Sequence, residues 1–432
     1  MPPVVLSSLE RSFLREDHAA VDAALPSIID ATKARGAAEC WHKHSSFLSH
    51  LLGVYRIATL WKLPRDVCLM ALLHSAFSNS FVNLALWSPD SAGRAALRDL
   101  LREAAPADAD AAEAWTWLFC SVPRHELVYT RLVDPLVYGV EANKAAPESA
   151  TPQNLVGWRD DPPYYVLPLD EATGQLVPPV RDIRSGEAIP LDAYQIGTLL
   201  ALSVADFAEQ WHAWQDALFG TAADGGRMRY GEGSGSAHAL WPGDGSPGLF
   251  LHTLSHVCAL ARACNASLER RGDSRRVPLP NVFAGCTRVV SAAQQAACAT
   301  HYWAAATAFW RGATEAEAAR AADEASRAIE SCPFVGEPFV LRAQLRLQST
   351  PPDWAGAADD AASGLRLLLD WGTCWDKVRR RLQPHPSYQA CLVLIDFVCS
   401  ACRGAHGWRG RGYSPTRRKR NRGPQKRSPL AS

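Results

Sequence analysis

Apolar positions recur at steps of three and four residues through most of 8–140. In 46–61, Phe47, Leu51, Val54, Tyr55 and Ala58 share one side of a 3.6-residue period, which predicts an amphipathic helix. KLPRD follows, with Pro64 placed to stop that helix and Asp66 to cap the next. The segment VCLMALLH at 67–74 is apolar on every side, so its helix belongs at the centre of a bundle. Periodicity lapses between about 145 and 190, where DDPPYYVLPLDEATGQLVPPVRD predicts an extended hairpin-like insertion or a long ordered loop turning at Gly174. A long helix returns over 191–218 with LLALSVADFAEQWHAWQDALF, and nine glycines in 220–248 then make a loop.

Helices resume over 249–267 and from about 290 to 400. There EAEAARAADEASRAIESCPFVGEPFVLRAQLRL predicts helix, turn at Pro333 to Pro338, and helix, and DWAGAADDAASGLRLLLDWG repeats the small-residue spacing. Alanines let antiparallel helices approach closely, as stacked helix pairs require. The run resembles tetratricopeptide repeats, and an Ala-rich helical bundle would show the same spacing. The pattern predicts a mostly α protein in four parts. A helical domain over 8–218 carries the insertion at about 145–190, followed by a Gly-rich loop at 219–248. A repeat-like helical region at 249–402 and a disordered basic tail at 403–432 complete it.

Composition narrows the class. A chain of 432 residues, 47% apolar and with 15 Trp, can bury more than one ordinary core. Its formal charge of +1 conceals an asymmetry, because ten Lys and Arg lie in 403–427 and no acid follows Asp396. Outside that tail 35 basic residues face 44 acidic ones. No stretch approaches eighteen uninterrupted apolar residues, which argues against a membrane span. Twelve scattered cysteines read as reduced thiols, and the first residues carry neither an export signal nor a transit-peptide pattern. These features together predict a cytoplasmic or nuclear protein.

Candidate chemistry centres on ALLHSAFSNSF at 71–81. His50, in FLSHLLGVYRI, precedes His74 by one helical hairpin, so antiparallel packing would bring both imidazoles to one end of the bundle. Asp206, in SVADFAEQW, is an acid within an apolar helix, and a buried carboxylate demands a partner. His42 and His44 lie nearby in CWHKHSS. His50, His74 and Asp206 are thus candidate ligands for one divalent ion, zinc, iron or manganese. The same residues would also serve as core histidines bonded to each other, to Asp206 or to helix-end carbonyls.

FLSHLLGVYRIATLWKLPRDVCLMALLHS, with SVADFAEQW as a late-helix acid, resembles the HD-domain superfamily of metal-dependent phosphohydrolases over roughly 40–218. It is most similar to the stringent-response alarmone hydrolases, and within the superfamily to a plant and bacterial branch in which HS stands in place of HD. The resemblance implies an HD-like helical bundle in which an aspartate after the second histidine helps to bind metal and further acids assist catalysis. Here Ser75 replaces that aspartate, and Ser78 and Asn79 occupy the place of the acidic pair. Serine and asparagine are poor ligands for hard cations and do not act as general bases unaided. If catalysis survives, His74, Ser75 and Asn79 are its candidate residues. The expectation is a non-catalytic HD-like protein that binds a ligand and a protein partner. The alternatives are a phosphohydrolase for a nucleotide-type substrate, or an oxygenase, built on His50, His74 and Asp206.

Other signals are weaker. Arg124 and His125, in SVPRHELVY, would supply a site for an anionic small molecule or simply form an exposed helix end. GEGSGS at 231–236 lacks the Lys-Ser/Thr of a phosphate loop. Cys391, Cys399, Cys402 and His406 offer a tight zinc set but also fit an apolar helix face, and His252 and His256 lie one turn apart as ordinary helix residues. The region 290–402 is the candidate surface for a protein partner. The RRKR-containing tail, 407–427, is a candidate nucleic-acid contact or nuclear localisation signal, making a nucleic-acid-associated scaffold the third alternative.

Overall fold

The computed structural model describes residues 6–42, 45–80, 84–133, 167–210, 250–310 and 314–371. Three helices lead in: α1 (Ser8–Leu14), α2 (His18–Val21) and α3 (Leu25–Lys33). A short antiparallel pair, β1 (Trp41–His42) and β2 (Ser45–Ser46), precedes α4 (Phe47–Leu60) and α5 (Arg65–Leu73). Next come α6 (Ser91–Ala104), α7 (Ala109–Ser121) and a π-type helix, α8 (His125–Val133). A second antiparallel pair, β3 (Val180–Arg181) and β4 (Ala188–Ile189), leads to α9 (Ala193–Gln210). After it stand α10 (Phe250–Arg270), the left-handed turn α11 (Phe283–Cys286), α12 (Ala292–Trp310), α13 (Glu315–Ser331), α14 (Gly336–Leu347) and α15 (Trp354–Trp371). The protein is mostly α, with a small extended insertion.

Local chemistry sets the helix ends around the site. Ser46 caps α4, its hydroxyl accepting the N–H of Ser49. Pro64 holds the cap position of α5, and Asp66 lies inside the first turn, taking the N–H of Val67, rather than serving as the cap that the sequence suggested. Every residue from Val67 to His74 is buried, as its all-round apolar pattern requires. Helices α4, α5 and α9 pack on one another, and α7 covers α5 from the side. The insertion lies over this bundle. Gly174, at φ +72°, turns a first hairpin held by the Leu169–Leu176 bridge, a backbone region that favours glycine. The second hairpin, β3–β4, is latched by Arg184, which donates to Phe77 O (2.6 Å), Ser78 O (3.1 Å) and Ser121 Oγ (3.2 Å). Residues 145–166 of the predicted insertion lie outside the described residues.

Beyond 219–248, which also lies outside them, α10 packs along α9. Helices α12 to α15 then stack in sequence, each against the next, and α15 returns to touch α4 and α9. Thr314 opens α13 with a reciprocal capping box to Glu317, and Ala318, Ala321, Ala325 and Ala328 form its buried stripe. Arg342 and Arg346 clamp α14 to α15 through Asp360, at 2.6 and 2.8 Å. No helix among the described residues is long and apolar enough to cross a membrane, and all eight described cysteines are free thiols.

Candidate metal centre

Three helices and one loop converge on a point inside the bundle. His50 lies near the start of α4, His74 is the C-cap of α5, and Asp206 and Glu209 sit one turn apart on α9. Arg124 enters from the Pro123 turn ahead of α8. All five residues are buried, none more than 2% exposed.

Hydrogen bonding fixes the two imidazoles. His74 Nδ1 lies 2.8 Å from Ala71 O, a pure acceptor, so Nδ1 carries the proton. His50 Nδ1 lies 2.5 Å from Glu209 Oε2 and donates to that carboxylate. In their neutral forms both rings therefore turn an Nε2 lone pair inward. These two atoms are 3.1 Å apart, and Asp206 Oδ1 lies 3.3 Å from the first and 3.6 Å from the second. Three electron-pair donors facing one another repel unless a proton or a cation lies between them. Among the described residues this is the group of three His, Cys, Asp or Glu side chains whose ligand atoms converge, all within 4.8 Å.

The donor set fits a divalent ion. Four ligands placed tetrahedrally at about 2.0–2.1 Å stand about 3.4 Å apart, whereas neighbouring octahedral ligands at that distance stand about 3.0 Å apart. The observed edges of 3.1, 3.3 and 3.6 Å centre nearer the tetrahedral value. Two imidazoles and one carboxylate are a zinc-compatible set, and the carboxylate and carbonyl behind the histidines are the outer partners that metal-binding histidines ordinarily have. Gly53 makes room for one of them. A Cβ there would lie 2.5 Å from Glu209 Oε1, so the absence of a side chain on α4 lets Glu209 reach His50.

Electrostatics oppose a simple open site. Burial by itself would raise the Asp206 carboxyl, but His74 and Arg124 outweigh it and hold it well below the usual range. Burial pushes the His74 imidazole down against the pull of Asp206. Arg124 Nη1 bonds Asp206 Oδ2 at 2.8 Å, and its guanidinium lies 4.0 Å from the Phe119 ring centroid. Arg124 is therefore neither an exposed helix end nor a residue reaching toward a solvent-borne anion. It is the fixed counter-cation of Asp206, because a carboxylate buried this deeply requires one.

Ser75 and Asn79 bond each other, Nδ2 to Oγ at 2.7 Å, and Asn79 also approaches His74 O at 3.5 Å. They brace the loop after His74. Ser78 takes a left-handed backbone, φ +60°, and Arg184 holds its carbonyl. The side chains of His42 and His125, and all of His44, lie outside the described residues, as do 231–236, Cys391, Cys399, Cys402 and His406.

His252 and His256 make an instructive contrast. His252 Nδ1 donates to Val290 O at 2.7 Å, and the Nε2 atoms of the two rings stand 3.3 Å apart. His256 can donate its Nε2 proton to His252, so this pair is satisfied without an ion, and burial lowers the basicity of both.

Sequence reasoning missed Glu209, Gly53 and Arg184. Glu209 follows Asp206 by three residues and Gly53 follows His50 by three, so each shares a helix face with a candidate ligand. Arg184 had no comparable signal.

Residues 31–124 match the family model described as Domain of unknown function (DUF6817), a span holding His50, His74 and Arg124 but ending before Asp206. No curated protein and no solved structure matches the chain.

Proposed function

We propose that this chain is a non-catalytic HD-like protein whose bundle holds one zinc-type divalent ion on His50, His74 and Asp206, and whose helices α12–α15 receive a protein partner. The observation that carries the metal reading is the convergence of His50 Nε2, His74 Nε2 and Asp206 Oδ1 within 3.6 Å of one another. The non-catalytic reading rests on the surroundings. Ser75 and Asn79 stand where the HD resemblance implies acids, and they bond each other. Glu209 is engaged with His50, and Arg124 with Asp206. The ion would stabilise the packing of α4, α5 and α9 by drawing their three donors together. In the partner reading, the stacked helices resemble tetratricopeptide repeats in which alanines permit close approach.

A second reading, a metal-dependent phosphohydrolase, is favoured by one feature. Three protein ligands instead of four leave a coordination position for water, which zinc would acidify.

Metal analysis of protein purified without chelator, paired with phosphate-release assays on nucleotide di- and triphosphates, tests both readings. The proposal expects about one zinc per chain, its loss in the His50→Ala/His74→Ala double variant, and no phosphate release. Release that disappears in Asp206→Asn would establish the hydrolase, and a metal-free wild type that takes up no added zinc would end both readings.

A further inference from the structure

A second site lies on the outer side of α7, separate from the buried histidines. There α6, α7, the β3–β4 hairpin, the start of α9 and the segment after α10 enclose a cleft of about 500 Å³. That volume falls within the range of small-molecule sites. Its apolar lining includes three aromatic rings, Trp115, Trp117 and Tyr194, beside aliphatic Leu118 and Ile189, with Trp115 and Tyr194 5.9 Å apart and inclined at 59°. None of the three is fully buried.

The polar lining is rich in donors. Arg94 lies over Trp117 and binds Glu113 through Nε and Nη2, at 2.6 and 3.2 Å. Arg275 lies over Tyr194 and binds Asp273 and Asp192 through Nε and Nη2. These pairs use two nitrogens of each guanidinium and leave both Nη1 groups out. Gln195 accepts the N–H of Asp192 with its Oε1, at 3.0 Å, so its amide nitrogen remains as a donor. Asp182 is the acid of the lining, and its Oδ1 already takes the N–H groups of Arg184 and Ser185, at 2.7 and 3.0 Å. Aromatic faces together with surplus planar donors suit a flat ring that carries a negative charge.

We propose that this cleft binds a small planar aromatic acid, with its ring against Trp115 and Tyr194 and its anionic group on Arg275 and Gln195. The proposal does not rest on the metal reading, since His50, His74 and Asp206 are not among the residues that line the cleft.

Fluorescence titration of the full chain tests it with 8-anilinonaphthalene-1-sulfonate as the anionic aromatic probe and N-phenyl-1-naphthylamine as its uncharged counterpart. The proposal expects one saturable sulfonate site, weakened at least tenfold by Arg275→Gln and by Trp115→Ala. The uncharged probe should bind at least tenfold more weakly and be indifferent to Arg275→Gln. Arg275 is exposed, so its variant should retain the wild-type melting curve even if Trp115→Ala does not. Non-saturable binding, equal affinity for the uncharged probe, or a saturable site unmoved by Arg275→Gln would overturn the proposal.

Discussion

Replacing Arg124 with methionine separates the charge that is always present at the centre from the charge that an ion would bring. The guanidinium is 1% exposed, bonds Asp206 Oδ2 at 2.8 Å and stacks on Phe119, and methionine keeps much of that apolar volume. Removing one partner of a buried ion pair costs about 3–5 kcal/mol, chiefly because the remaining charge loses its compensation. With chelator present, Arg124→Met should therefore be destabilised by about that amount. With saturating zinc, the ion on Asp206 Oδ1 supplies the missing positive charge, and the penalty should fall by about 2–3 kcal/mol. Linkage makes these one prediction: that narrowing corresponds to zinc binding roughly 30- to 150-fold more tightly to the variant than to the wild type. Urea unfolding followed by circular dichroism, with and without zinc, measures the first quantity, and competition against a chromogenic chelator measures the second. An equal penalty in both conditions, with unchanged zinc affinity, would refute the argument that Arg124 and a cation share the duty of neutralising Asp206.

Gly53→Ala should displace Glu209 from His50 and weaken zinc about 10- to 100-fold, as loss of an outer partner does, while far-ultraviolet circular dichroism stays unchanged. Ala325→Leu should overpack the contact of α13 with its neighbours and cost about 1–3 kcal/mol in a denaturant melt, whereas Glu330→Leu, outside the buried alanine stripe, should cost far less. Asp370 on α15 gives a pH signature away from the centre. Burial first, then Glu10, push its carboxyl up to about 7 against the pull of Arg366 and Arg56. The native chain therefore holds a proton there that the unfolded chain releases near pH 4, so this group's contribution to stability falls as pH rises from about 4 to 7. Asp370→Asn should be more stable than wild type at pH 8, by at most about 4 kcal/mol, and the difference should close toward pH 4 in paired melts.

Much of the fold was legible because its signals are local. The period of Phe47 to Ala58, the uniform apolar character of 67–74, the turn at Gly174 and the alanine spacing of 315–331 each specify an element through neighbouring residues. The hairpin linking His50 to His74 was equally readable, since two helices joined by a short Pro64 loop pack antiparallel and bring residues 24 apart to one end. Asp66 shows where this reasoning fails. A residue that commonly caps helices stood two positions from a proline that took the cap position instead.

The chain by itself thus determined its helices and nominated His50, His74 and Asp206, because periodicity and one short hairpin are properties of adjacent sequence. Tertiary structure alone decided what those residues meet. Glu209 reaches His50 across 159 residues and Arg124 reaches Asp206 across 82, and no local pattern records such a pairing. The tautomer of each histidine, the charge balance at Asp206 and the aromatic cleft behind α7 all depend on which distant groups arrive within bonding distance. Those distances are set by the packing of whole helices.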